Sequence, residues 1–140
     1  MTKQKSQYTR TISPKLGILG ILGFVGVAGF LPKIYHITEI LPTPTFFFFF
    51  AFFGFFGFYY EGKMSHTLMD ERFQANAYRA MAIANKFALT LILAAAILSM
   101  SVLRLEAYDM LALLIAVLGL AFGLSIFLQQ YLLYRFENEE

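Results

Sequence analysis

Charge is laid down in blocks along this 140-residue chain. No Asp, Glu, Lys, Arg or His interrupts residues 16–31, 45–60, 87–103 or 110–134, while polar residues crowd the two ends and the segment between the second and third stretches. Apolar stretches of this kind predict membrane-spanning helices, for which about 17–25 residues suffice. The expected spans are about 16–35, 45–60, 87–103 and 110–134, and the shorter ones are accommodated by snorkelling side chains or local bilayer thinning. The predicted fold class is all-α: an integral membrane bundle of four transmembrane helices, N-in and C-in, with the third helix extended into the cytoplasm. Residues 1–15 then form a basic cytoplasmic tail, 61–86 a cytoplasmic segment and 135–140 an acidic cytoplasmic tail. Pro42-Thr43-Pro44 between the first two stretches leaves open a re-entrant hairpin over 16–60 in place of two full crossings.

Within the apolar stretches the small residues are ordered. Gly17, Gly20, Gly23, Gly26 and Gly29 recur every third position, and Ala51, Gly54 and Gly57 continue the habit among ten phenylalanines. Interior glycine costs a soluble helix about 1 kcal/mol relative to alanine, but in lipid small residues let backbones approach. On an α-helix, at about 100° per residue, five glycines in steps of three wind through about 240° and mark no single face. They are therefore expected to meet two neighbours in sequence, first the Ala51, Gly54 and Gly57 row, with phenylalanine rings lying across the glycine groove. Ala112, Ala116, Gly119 and Gly123 follow steps of four, three and four, one face of an α-helix that should meet a helix. These rows serve packing within the chain or contacts in a homo-oligomer.

Composition and charge refine the topology. The chain is 59% hydrophobic and 14% charged, against about a quarter charged in average globular domains. Of 11 Lys and Arg, nine fall in the N-terminal tail, segment 61–86 and the C-terminal end, leaving Lys33 and Arg104 on the other side. This bias puts both termini and the central segment in the cytoplasm. Tyr35, Tyr59, Tyr60, Tyr108, Tyr131 and Tyr134 lie at span ends, in keeping with an interfacial aromatic belt. The basic start could also open a signal peptide ending near residues 26–29, although no A-x-A site follows. Cysteine is absent, which removes disulfide and thiol chemistry.

Segment 61–86 is the polar region long enough for recognition. Met69, Phe73, Ala77, Ala80, Ala84 and Phe87 form a helical stripe leading into the third span, and Arg72, Arg79 and Lys86 form a basic line able to pair with anionic headgroups. Thr67 as N-cap would put Asp70 at the third helical position and explain Asp70-Glu71-Arg72 as a capping arrangement; a docking epitope is the rival reading. Gly62-Lys63 lacks the remaining residues of a phosphate loop. His36 and His66 are expected on opposite sides of the membrane.

An ionisable residue inside a span is costly and usually functional. None occurs in the four stretches, which disfavours ion coupling, proton relay and a small four-helix exporter with a buried glutamate. The strong charge bias disfavours a dual-topology fluoride channel. Ser65, His66 and Asp70 share one helix start with diverging side chains, so no catalytic or metal constellation is expected, and no cofactor. Thr90, Ser99, Ser101 and Ser125 are expected to bond the helix backbone.

The Leu-Gly repeats of residues 16–23, the phenylalanine-rich second stretch and the run Glu61-Gly62-Lys63-Met64-Ser65 leading to Asp70-Glu71-Arg72 resemble an uncharacterised family of small membrane proteins from Gram-positive bacteria, a domain of unknown function, over the first two thirds of the chain. Similar small membrane proteins are often paired with a helix-turn-helix or LytTR-type regulator that they hold inactive. The expected function is therefore a non-enzymatic, multi-pass regulator of the cell membrane that binds or sequesters a cytoplasmic protein such as a transcription factor through Asp70, Glu71, Arg72, Gln74 and Arg79. It is not expected to bind nucleic acid directly. The alternatives are an immunity protein against a membrane-active peptide and an accessory subunit of a transporter.

Overall fold

A computed structural model of the chain describes residues 8–30 and 43–139. The described elements are two 3-10 helices, η1 (Pro14–Phe30) and η2 (Thr43–Phe56), and three α-helices, α1 (Gly57–Lys63), α2 (Glu71–Ser101) and α3 (Ala107–Glu139). The described residues are all-helical, and among them two helices, α2 and α3, are long and apolar enough to cross a membrane, not the expected four. The first two apolar stretches are wound as 3-10 helices instead. Lys3, Lys5, Lys33, Tyr35, His36 and the surroundings of Gly29 lie outside the described residues.

Side-chain spacing accounts for the unusual winding. A 3-10 helix has three residues per turn, so positions i and i+3 eclipse, which normally limits such helices to short pieces. Here one column of η1 is bare and two columns of η2 are aromatic. Gly17, Gly20, Gly23 and Gly26 stack as one bare column, which corrects the expectation that the row winds around the helix. A Cβ added at these positions would lie 2.5–2.9 Å from Phe53, Phe56, Phe50 or Tyr59. The pairs are Gly17 with Tyr59, Gly20 with Phe56, Gly23 with Phe53 and Gly26 with Phe50: three steps forward on η1 match three steps back on η2. Phe47, Phe50, Phe53 and Phe56 stack with ring centroids 5.9–6.1 Å apart. That spacing matches the pitch of about 6 Å of a 3-10 helix. Phe46, Phe49, Phe52, Phe55 and Phe58 form a second ladder at 5.3–6.5 Å.

The third column of η2 holds Ala51 and Gly54 and continues to Gly57 at the start of α1. It faces α3 and not η1, a second correction to the expected pairing. A Cβ on Gly54 would meet Ile126, and one on Gly57 would meet Gln130 and the backbone at 126–127. From the other side Gly119 and Gly123 admit the η2 backbone, with hypothetical Cβ atoms 2.7 Å from the carbonyl oxygens of Phe47 and Phe50. Phe47, Phe50 and Ala116 are buried together in this seam.

α3 packs on its opposite side against α2, giving the order η1, η2, α3, α2. No comparable seam joins η1 to α3 or α2 among the described residues, so the helices stand in a row and not in the expected bundle. The α2 stripe facing α3 is narrow: Phe73, Asn76, Ala80, Ala84, Ala88 and Ser99 are buried. Met69 and Phe87 of the expected stripe are exposed, and Ala88 takes the place of Phe87. The row has two broad apolar faces. Only 6% of the most apolar window of α2 and 22% of that of α3 is buried within the molecule.

α3 continues as helix to Glu139, through the segment expected as an acidic tail. Between α2 and α3, Arg104 takes a positive φ of 46°, and Leu105 N–H donates to the Ser99 carbonyl, closing a tight link. Ser99 donates to the Ala96 carbonyl at 2.8 Å, whereas Ser125 bonds the side chain of Asn85 at 3.2 Å.

Candidate interaction pole

Polar residues converge at one end of the row, where the segment preceding η1, the turn after α1, the start of α2 and the end of α3 meet. The turn 64–70 carries short polar side chains and is held by residues 8–12. Thr9 N–H donates to the Thr67 carbonyl at 3.0 Å, Thr67 N–H returns to Thr9 Oγ1, and Thr9 Oγ1 donates to the Met64 carbonyl at 2.6 Å. Ser65 Oγ accepts from Ile12 N–H and donates to the Ile12 carbonyl. Thr11 Oγ1 lies 2.8 Å from Nε2 of His66, whose φ of 64° turns the chain. Arg10 pairs with Glu61 at 2.8 Å, which raises the arginine pKa through the hydrogen bond and the charge of Glu61. Gly62 permits the close crossing: a Cβ there would stand 2.6 Å from Pro14 N. Glu61-Gly62-Lys63-Met64-Ser65 thus carries the receptor for an N-terminal strap that sequence reasoning missed.

Asp70 is itself the N-cap of α2, accepting from Phe73 N–H at 2.8 Å. This corrects the assignment of Thr67 as the cap, because the helix starts only at Glu71; the main chain of Thr67 is bound to Thr9 instead. Satisfying the amide of Phe73 fits the usual role of an N-cap carboxylate, and Glu71 adds a favourable charge to the first turn. Met64, Phe73, Ala80 and Leu133 make the apolar floor of the pole.

The five expected partner-binding residues divide. Arg72 turns to α3, with Nη2 3.6 Å from Glu137 Oε2, and Asn76 donates to Glu137 Oε1 at 2.7 Å. Arg79 lies over the Phe136 ring at 4.5 Å. These two arginines brace α2 against α3, so the expected basic line is not free along its length. Glu71 and Gln74 remain on the outer side of α2, joined by Tyr78, which is 67% exposed and was not singled out by sequence. Its helical spacing from Glu71 and Gln74 was the available signal.

An aromatic cluster adjoins the strap. Tyr60 packs against Phe127, Tyr131 and Tyr134, and Lys63 Nζ lies 4.4 Å from the Tyr59 ring centre and 5.4 Å from that of Tyr134. Hydrogen bonding to Tyr59 raises the Lys63 pKa. Arg135 pairs with Glu139 within α3. Compared with known proteins, the chain matches no family model, no curated protein and no solved structure.

Proposed function

We propose that this chain is a non-enzymatic protein of the cell membrane that crosses the bilayer four times and uses its polar pole, on the cytoplasmic side, to bind and hold a regulatory protein. The 3-10 winding supports four crossings. At about 2.0 Å per residue the 17 residues of η1 reach about 34 Å, enough for a hydrocarbon core of about 30 Å, whereas an α-helix of that length would reach about 25 Å. The 14 residues of η2 supply about 28 Å, and α1 extends them. Both 3-10 helices satisfy their backbone groups internally, as lipid demands. Their outer columns are apolar and open, including Ile18, Ile21 and Phe24 at 55–67% exposure. The segment before η1 and the end of α3 share a pole, as an even number of crossings requires. The charge bias favours the cytoplasm for that pole.

The observation that carries the regulatory reading is the outer face of α2. α2 and α3 span about 46 and 50 Å, some 15–20 Å beyond the hydrocarbon core, so their polar ends stand clear of the membrane. There α2 is braced on one side and presents Glu71, Gln74 and Tyr78 on the other, a tyrosine flanked by polar groups of the kind enriched in binding hot spots. The peptide-immunity reading is less well supported, because Phe50, Phe53, Phe56 and Tyr59 of the same chain fill the glycine column at 17–26. The test is co-purification from native membranes in mild detergent, comparing wild type with E71K/Q74K/Y78A. A soluble DNA-binding protein should accompany the wild type and be lost from the variant; its equal recovery from both would refute the reading.

A further inference from the structure

A groove of about 630 Å³, within the size range of ligand sites, runs between η1 and the η2–α1 junction at the polar pole. Gly17 and Phe56 form its floor, the exposed Ile18 and Ile21 its outer edge, and Lys15 and Tyr59 its mouth. Lys63 flanks the same tyrosine from α1. Neither lysine enters an ion pair among the described residues, while the neighbouring acid, Glu61, is committed to Arg10. The groove is apolar along its length and cationic at one end, complementary to a molecule with an anionic head and a hydrocarbon chain. Tyr59 and Phe56 sit against the bare column at Gly17 and Gly20, which fixes the wall of the groove on the η2–α1 side.

We propose that this groove seats one anionic phospholipid of the surrounding bilayer, its phosphate between Lys15 and Lys63 and an acyl chain along Ile18 and Ile21. The site goes beyond the regulatory function and rests only on the bilayer location proposed above. It also moves headgroup recognition from the expected Arg72, Arg79 and Lys86 line, two of whose members are held by α3, to a pair of lysines on the other side of the pole. Amphipathic fit distinguishes it from general surface attraction, because only a lipid with both parts fills floor and mouth together.

The test uses the full chain in phosphatidylcholine nanodiscs containing a minor fraction of phosphatidylglycerol with a photoreactive acyl chain, and maps crosslinks by mass spectrometry. Labelling should concentrate on the peptide carrying Ile18 and Ile21. It should fall about fivefold for K15Q or K63Q alone, the factor a basic residue contributes near an anionic surface. It should fall further for K15Q/K63Q, persist in K15R/K63R, and be unchanged in K86Q. A photoreactive phosphatidylcholine should label η1 and the exposed α2 residues Leu89 and Leu93 alike. Labelling by both lipids without preference for η1, or insensitivity to K15Q/K63Q, would overturn the site while leaving the bilayer location standing. Displacement of the labelled lipid by glycerol phosphate would overturn the acyl-chain contact. Failure of both lipids to label any apolar face would overturn the site together with the membrane location.

Discussion

Replacing Gly123 with alanine would place a Cβ 2.7 Å from the Phe50 carbonyl oxygen, 3.0 Å from that of Ala51 and 3.2 Å from Gly54 N. All three are backbone atoms of η2, so no rotamer change can relieve the contact. Restoring ordinary separation requires η2 and α3 to part by about half an ångström, and a gap of that size forfeits about a quarter of the dispersion well for each atom pair along the seam. Overpacking of this kind costs about 1–3 kcal/mol, against which alanine gains up to about 1 kcal/mol of helix propensity. The net loss should be about 1–2 kcal/mol, a 5–30-fold shift in the unfolding equilibrium. Gly54, directly across the seam, supplies the internal control. A Cβ there meets Ile126 Cβ at 3.2 Å, Ile126 Cδ1 at 3.3 Å and the Gly123 carbonyl oxygen at 3.4 Å, contacts that a shift of a few tenths of an ångström relieves, so G54A should change stability by less. Titration from mild detergent into dodecyl sulfate, followed by far-ultraviolet circular dichroism because the chain has no tryptophan, would measure both variants. A G123A protein as stable as wild type, or a G54A protein less stable than G123A, would refute the packing argument.

Single cysteines introduced along 17–27 of this cysteine-free chain should be protected from lipid-phase probes at 17, 20, 23 and 26, and a protection period nearer 3.6 would rule out 3-10 winding. D70A should lose about 1 kcal/mol and speed amide exchange at Phe73 while leaving the middle of α3 protected; uniform exchange along α2 would argue against a local cap. R72E should loosen the pole by setting a carboxylate against Glu137, and R72E/E137R should recover it. The double-mutant coupling should be below about 1 kcal/mol, since Arg72 is half exposed and 3.6 Å from its partner; a much larger value would require a more desolvated pair.

The apolar stretches and the helical class were legible because uninterrupted hydrophobicity leaves few alternatives. The α3 surface at Ala116, Gly119 and Gly123 followed from ordinary α-helical spacing. The winding of the first two stretches was not, because a wheel drawn at 100° per residue scatters the glycine row that a three-residue turn gathers. The signal was nevertheless present twice, in Gly17 to Gly26 and in Phe47 to Phe56, two rows with the same step. The strap over the pole left almost no pattern, since it is held largely by main-chain groups and by short side chains such as Thr9 and Ser65. Thr67 was expected as the cap with Asp70 inside the first turn; the helix instead starts at Glu71, with Asp70 as its cap and the Thr67 main chain bound to Thr9. Arg72, Tyr78 and Arg79 are all exposed, and only the contacts of the two arginines with Glu137 and Phe136 of α3 set them apart from Tyr78.

The last helix in the sequence is not at the edge of the row but inside it, between η2 and α2. During synthesis η1 and η2 can zip together first, and α2 follows with no partner of its own. Until α3 emerges, the Ala51, Gly54 and Gly57 column and the alanine stripe of α2 stand uncovered in the same membrane. A chain cut short after Arg104 would therefore lose the element that joins its two halves, leaving a paired hairpin and a solitary helix connected only by the turn and the strap at the pole.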